Sequence, residues 1–289
     1  MRKCANRVGV STLVALVYTL SNMVIGGIVM QGTQRGMPLP VNPVLMLATT
    51  LLSGLLIGLT LGSIAPRVYS ARSTSIFTWS TVLFLNTTSV VIEGSVFAPG
   101  LLPADVVPRV MVMHFFSSLL TAVVLLFLFP CRQPAAQEVR RKRSPLSWTG
   151  RFALSAGSYL LFYYLFGALN YALFTGPYYA THPGLALPPA GTVILFASSR
   201  AVLIVLSITP LLLSLRASRR WTMVASGSVL FVIGGVVPLL MQSGALPPVL
   251  LVASGVEIFF QNFLTGAVSA ALMGALPNRS PGKRRLSFL

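Results

Sequence analysis

The chain has 289 residues, of which 55% are hydrophobic and only 9% are charged, and its mean hydropathy is +0.82. Soluble domains carry about 25% charged residues, so this composition excludes an ordinary soluble protein and predicts a membrane protein. The net charge of +17 would suit nucleic acid, but the basic residues flank apolar segments as a membrane-topology signal, so we predict no nucleic-acid partner.

Eight segments are apolar over about 20 residues, the length that crosses about 30 Å of hydrocarbon. We number them helix 1 to helix 8; they cover residues 8–30, 43–64, 75–97, 110–129, 152–174, 191–215, 221–241 and 248–273. The first follows "MRKCANR" and so begins like a secretory signal. Its apolar run exceeds the usual signal core of about 7 to 15 residues, and no small-residue cleavage site follows it. The sequence therefore predicts an all-α membrane protein with eight transmembrane helices.

The basic residues lie almost entirely on one side of these helices. Of the 21, 18 precede helix 1, lie between helices 2 and 3, 4 and 5 or 6 and 7, or belong to the tail. The opposite side has only Arg35 and Arg109. The positive-inside rule then predicts a multi-pass protein of the cell inner (plasma) membrane with both termini cytoplasmic.

The run "RRKRS" contains Arg140–Arg143 and lies in the connection between helices 4 and 5. Each basic residue near an anionic lipid surface contributes about 1 kcal/mol, so the run could bind anionic lipid or a protein partner. The simpler interpretation is an orientation signal, because the rule requires positive charge at this place. Homo-oligomerisation stays open.

Cysteine and histidine usage predicts no metal and no cofactor. Cys4 and Cys131 both fall on the predicted cytoplasmic side, where thiols stay reduced. His114 and His182 are too few and too far apart for a recognisable metal site. The chain also lacks the P-loop, nucleophile-elbow and zinc-protease motifs, so we name no catalytic residue.

The two halves resemble each other in the order of their segments. "HFFSSLLTAVV" at 114–124 aligns with "IFFQNFLTGAVS" at 258–269, and "LATTLLSGLL" at 47–56 aligns with "FASSRAVLIV" at 196–205, at offsets of 144 and 149 residues. Four helices per unit keep both copies in one orientation, so we predict a 4+4 parallel tandem repeat. The units are residues 1–130 and 152–275, joined by a basic cytoplasmic linker, 131–151, and followed by a basic cytoplasmic tail, 276–289.

Ionisable residues inside the apolar segments are the first functional candidates, because a charge there costs about 2.5 to 3.5 kcal/mol. Arg200 in helix 6 and Glu257 in helix 8 lie at matching depth, so we expect them to pair. Glu93 and His114 share another depth and form a second candidate pair. Such pairs either bind a ligand or only fix the register of the helices.

Polar residues at helical spacing predict inward-facing surfaces, since they cannot face lipid. Helix 8 carries a polar stripe, and helix 5 carries an aromatic and polar face. Packing between helices is the alternative explanation for the hydroxyl groups. The candidate binding residues are Arg200, Glu257, Gln261, Asn262, Glu93, His114, Tyr163 and Asn170. Gly54, Gly58 and Gly62 form a doubled G-x-x-x-G that predicts close packing of helix 2.

The second half resembles a group of bacterial multi-pass membrane proteins that have an intramembrane arginine and the pattern P…(H/G)xxE…NF..G in the last helix. The matching residues are Arg200, Pro248, Glu257, Asn262, Phe263 and Gly266. This chain has "SGVE" where a histidine three residues before the glutamate is expected. The resemblance covers about half of the chain and implies an integral membrane protein of about eight helices, with no particular activity.

Three functional hypotheses follow. The first is a small-solute or proton-coupled transporter, in which Arg200 attracts an anionic group and Glu257 or Glu93 carries a proton. The second is a non-enzymatic subunit or assembly factor that an intramembrane Arg–Glu pair holds together. The third, an intramembrane enzyme, has the least support, because no catalytic spacing is present and the chain has only four acidic residues.

Overall fold

The computed structural model describes residues 2–31, 42–132, 144–182 and 184–274. The basic run Arg140–Arg143 and the predicted tail 276–289 lie outside these residues.

The described residues fold into eight helices long and apolar enough to cross a membrane, which confirms the predicted all-α multi-pass class. They are α1 Arg2–Val29, α2 Pro43–Ile64, α3 Arg72–Phe97, α4 Val107–Leu128, α5 Pro145–Thr181, α6 Ala190–Ser214, α7 Arg219–Met241 and α8 Pro248–Met273. Asn42, Ser144 and Ser218 cap the starts of α2, α5 and α7, each accepting a backbone N–H hydrogen bond through its side chain.

Helix α5 extends well beyond the predicted residues 152–174 at both ends. Its start moves back to Pro145 because Ser144 caps the helix and proline suits the first helical position. Its end moves forward because the chain passes through a π turn, Tyr171–Thr175, and continues to Thr181. Similar π turns interrupt α7 at Val232–Val236 and α8 at Phe259–Phe263. Such turns frequently mark functional sites in helices.

The surface and the interior have the polarity of a protein in lipid. Large apolar side chains face outward, such as Phe127, which is 78% exposed, and Leu161, which is 62% exposed. Many small polar side chains are instead buried between helices. A soluble protein rarely exposes so much apolar surface. The hydroxyl groups avoid lipid by facing neighbouring helices, as the bilayer requires.

Helix pairing follows the same order in both halves. In the first half α1 packs against α2 and α4, and α3 packs against α4. In the second half α5 packs against α6 and α8, and α7 packs against α8. Contacts of α2 with α7 and of α3 with α6 join the halves.

Glycines allow the closest approaches between these helices. A Cβ atom on Gly54 would lie 2.6 Å from the Ala15 Cα atom, and one on Gly58 would lie 3.0 Å from the Ser11 Cα atom. A Cβ atom on Gly62 would lie 2.6 Å from the Phe129 ring. The three glycines therefore lie where α2 meets α1 and the end of α4.

Three loops form one ordered layer at the end of the bundle where α3 and α7 begin. We define this basic loop layer as residues 65–71, 131–132 and 215–218. Tyr69 N donates to Ser214 O at 2.9 Å, and Arg216 N donates to Arg67 O at 3.0 Å. Arg132 N donates to Val68 O at 2.9 Å, and Ser70 N donates to Arg132 O at 3.0 Å. These backbone bonds connect both halves of the chain.

The Cys131 thiol in this layer lies beside Ser75 and Trp79, and burial raises its pKa. Because the thiolate is the reactive form, we expect Cys131 to react with N-ethylmaleimide more slowly near neutral pH than an exposed thiol, and faster as the pH rises. Mass spectrometry of the Cys4→Ser variant, before and after unfolding, measures this rate. Equal rates for the folded and unfolded protein would contradict the prediction.

Candidate functional site

Arg200 lies near the middle of α6 and is only 1% exposed. Its Nη1 atom forms an ion pair with an Oε1 atom of Glu93 in α3. The Glu93 side chain is 28% exposed, so the carboxylate reaches the edge of the packed interior while the guanidinium stays inside it. This pair links one helix of each half, and we call it the α3–α6 ion pair.

The predicted partner of Arg200 was wrong: the ion pair is with Glu93 and not with Glu257. Matching depth does not decide which helices are neighbours. Helix α6 packs against α3 along its length, whereas the part of α8 before its π turn packs against α5. The second predicted pair is wrong for the same reason, since Glu93 faces α6. Among the described residues, His114 has no hydrogen-bonding or ionic partner.

Aromatic rings surround the Arg200 guanidinium. Its Cζ atom lies 5.9 Å from the ring centroid of Tyr159 in α5 and 5.9 Å from that of Phe196 in α6. Tyr163 stacks on Tyr159 with ring centroids 5.9 Å apart and meets Phe196 edge-on at 6.3 Å. Arginine over an aromatic face gains about 2 kcal/mol or more when desolvated. The rings therefore offset part of the cost of burying the cation.

Hydrogen-bond donors at this position are left over. The Nε and Nη2 atoms of Arg200 and the hydroxyl of Tyr159 are buried and have no hydrogen-bond partner among the described residues. An unsatisfied buried donor costs about 1 to 3 kcal/mol, and more for a charged group. In native proteins such buried donors are generally satisfied by a protein group, an ordered water or a bound ligand.

Glu257 lies in a separate polar group between α5 and α8. Asn170 Nδ2 donates to its Oε2 atom, and Gln261 Nε2 donates to its Oε1 atom at 2.6 Å. A Cβ atom on Gly167 would lie 3.3 Å from that Oε1 atom, so glycine leaves room for the carboxylate. Gln261 Nε2 also lies 3.5 Å from Tyr163 O, which connects this group to the aromatic rings around Arg200.

Asn262 belongs to a third, fully buried cluster deeper in the bundle. Its Nδ2 atom donates to Leu230 O at 3.2 Å, just before the π turn of α7. Asn86 Nδ2 in α3 donates to Ser207 Oγ in α6 at 2.9 Å. A Cβ atom on Gly234 would lie 2.6 Å from Asn86 Oδ1 and 3.2 Å from Asn262 Nδ2. This cluster holds α3, α6, α7 and α8 together through side-chain amides.

Two loops meet beyond the end of α3 where Glu93 lies. Ala186 N donates to Phe97 O at 2.9 Å, and Gly100 N donates to Gly184 O at 3.3 Å. Gly184 has φ +98°, a left-handed conformation that glycine adopts without strain. The last turn of α5 adds Tyr179, which lies within electrostatic range of Glu93 and Glu257. The two loops therefore pack against each other at the end of the bundle where α3 ends.

Of the predicted residues, the structure groups Arg200 with Glu93, and Glu257 with Asn170 and Gln261, while Tyr163 lies between the two groups. His114 and Asn262 lie apart from both. Sequence reasoning missed Tyr159 and Phe196 as neighbours of the guanidinium. Phe196 lies four residues before Arg200, a spacing that brings two side chains together on a helix. The described residues contain no group of three potential metal ligands.

No protein-family model, curated protein or solved structure shows significant similarity to this chain. The site must therefore be interpreted from its own chemistry.

Proposed function

We propose that the protein is a transporter of a small anionic solute in the bacterial inner membrane, with Arg200 as the anion-binding residue. The observation that carries the proposal is the guanidinium itself: it is buried, and only one of its three nitrogen atoms pairs with Glu93. Two donor nitrogens in one plane match the two oxygens of a carboxylate or phosphoryl group. The Tyr159 hydroxyl supplies a third donor nearby.

The proposed mechanism uses the predicted duplication. We propose two four-helix units that move against each other around Arg200, as in transporters built from parallel repeats. The common pairing order of α1–α4 and α5–α8 supports this proposal. Arg67 and Arg216 support it further, because these hydrogen-bonded residues are 149 residues apart, the offset that also aligns helix 2 with helix 6.

We propose Glu257 as the proton-carrying residue. Both carboxylate oxygens accept hydrogen bonds from side-chain amides. The Tyr163 carbonyl accepts from Gln261 Nε2, and the Tyr163 ring stacks on Tyr159, which lies beside the guanidinium. A proton on the Oε2 atom of Glu257 would remove the bond from Asn170, which joins α5 to α8, so protonation there would change how these helices contact each other. The basic residues at the end of the bundle where the basic loop layer lies favour a cytoplasmic position for that end.

We expect liposomes that contain the protein to take up the transported anion together with protons. The assay follows radiolabelled succinate, aspartate or phosphate and records internal pH with trapped pyranine. The Arg200→Leu/Glu93→Leu double variant should take up anion no faster than protein-free liposomes. The Glu257→Gln variant should take up anion without the pH change.

Arg109→Gln is the matched control, because this arginine in the first turn of α4 donates to Gln31 O and takes no part in the α3–α6 ion pair. It should transport like the wild type. Equal uptake by wild type and double variant for every anion would contradict the proposal. The α3–α6 ion pair would then favour the second hypothesis, a non-enzymatic subunit whose helices this pair holds in register. That hypothesis requires a co-purifying partner that is lost when Arg140–Arg143 are neutralised.

A further inference from the structure

The end of the bundle that carries the basic loop layer is strongly positive. Eight arginines with described side chains lie at this end, whereas Arg109 is the one described arginine at the other end. The eight are Arg7, Arg67, Arg72, Arg132, Arg151, Arg216, Arg219 and Arg220. Among the described residues, no aspartate or glutamate lies at this end. An orientation signal explains the sign of this charge but not its arrangement.

Three of these arginines are held in fixed relation by the backbone. Arg216 N donates to Arg67 O at 3.0 Å, and Arg132 O accepts from Ser70 N at 3.0 Å. A loose basic tail would only be attracted to a charged surface. Arginines on hydrogen-bonded loops present their guanidinium groups at defined positions instead, which specific recognition of a headgroup needs.

Aromatic rings lie among these guanidinium groups. Arg67 Cζ lies 4.4 Å from the ring centroid of Trp221, and Arg216 Cζ lies 5.1 Å from that of Tyr69. Arg132 Cζ lies 5.8 Å from the Tyr69 ring, and its Nη1 atom donates to the Tyr69 hydroxyl at 2.9 Å. Tryptophan and tyrosine concentrate at the headgroup level of membranes. The layer therefore combines the residues of a lipid interface with clustered donors.

We infer that the basic loop layer binds the phosphate group of an anionic phospholipid, with Arg67, Arg132 and Arg216 as its ligands. Every basic residue with a described side chain at this end is arginine, whose planar fork bonds two phosphate oxygens at once, whereas lysine acts as a point charge. A bound phosphate would reduce the repulsion among the arginines. It would also link the loops of both halves, so the lipid would stabilise the assembled protein. The inference does not depend on the transport proposal.

Thermal unfolding of the full-length protein in detergent tests this site. We expect phosphatidylglycerol to raise Tm more than phosphatidylcholine with the same acyl chains, and high salt to reduce the difference. The Arg67→Gln/Arg216→Gln variant should lose at least half of that difference, because it removes two of the three proposed phosphate ligands. It should still fold, because it keeps the backbone bonds of the layer. Arg109→Gln should keep all of it. Inorganic phosphate alone should not reproduce the effect.

Equal Tm shifts from the two lipids, or equal differences in wild type and double variant, would overturn the inference. A full effect of inorganic phosphate would show a free-anion site and would overturn it as well. If the glutamine variant does not fold, the Arg67→Lys/Arg216→Lys variant keeps the charge and loses the two-oxygen bond. Native mass spectrometry should then show fewer retained phosphatidylglycerol molecules than in wild type; equal retention would contradict the site.

Discussion

The Glu93→Ala variant should lose about 3 kcal/mol of unfolding free energy, because it leaves the Arg200 charge without a partner inside the bundle. Breaking a buried ion pair costs about 3 to 5 kcal/mol, and the lower value applies because the Glu93 side chain is partly exposed. Equilibrium unfolding in mixed detergent micelles measures the change. The aromatic rings of Tyr159 and Phe196 soften the loss but supply no negative charge.

A double variant separates the effect of losing the ion pair from the effect of leaving one charge unpaired. Arg200→Leu/Glu93→Leu removes both charges and should recover most of the stability, since apolar residues often replace a buried ion pair without loss. Glu257→Gln is the comparison within the second polar group, where an amide donor loses its acceptor at a cost of about 1 to 3 kcal/mol. If Glu93→Ala were no more harmful than Glu257→Gln, Arg200 would have another counter-charge and the assigned pairing would be wrong.

The class of fold could be predicted from the sequence because lipid imposes a simple rule on helix length and polarity. Each apolar segment of about 20 residues became a helix, and boundaries failed mainly at α5. There the π turn Tyr171–Thr175 carries the helix past the apolar segment. Hydrophobicity does not report such turns. The predicted tandem repeat stays a prediction, supported by the helix pairing and by the Arg67–Arg216 contact. The orientation of the termini also stays a prediction, which rests on the positive-inside rule.

The site was predicted in composition better than in arrangement. Arg200, Glu93 and Glu257 stood out because charges are rare in apolar segments. Depth along a helix, however, does not show which helices are neighbours or which faces they turn to each other. The contact of α3 with α6 decides the ion pair, and it joins residues more than 100 positions apart. Phe196 could have been found from its spacing to Arg200. Tyr159 could not, because its approach depends on how α5 crosses α6.

The second large effect concerns Gly266, the final glycine of the pattern in the last helix. A Cβ atom on Gly266 would lie 2.5 Å from Ser226 O and 2.7 Å from Gly227 N, both backbone atoms of α7. Backbone cannot rotate away as a side chain can, so α7 and α8 would have to separate. We expect Gly266→Ala to cost about 3 kcal/mol of unfolding free energy, the upper end for overpacking, and Gly266→Leu to prevent folding.

Gly255→Ala is the matched control on the same helix, because its Cβ atom would meet only Leu239 Cδ1, at an ordinary 3.6 Å. It should be neutral or stabilising by up to about 1 kcal/mol, since alanine favours the helix over glycine. Equal stability of the two alanine variants would contradict the close α7–α8 contact.

Separation of these helices would also pull Asn262 away from Leu230 O and disturb the amide cluster that joins α3, α6, α7 and α8. Gly266 would then be in the pattern because α8 needs close contact with α7. Under the proposed function, transport by the Gly255→Ala and Gly266→Ala variants should fall only where folding does.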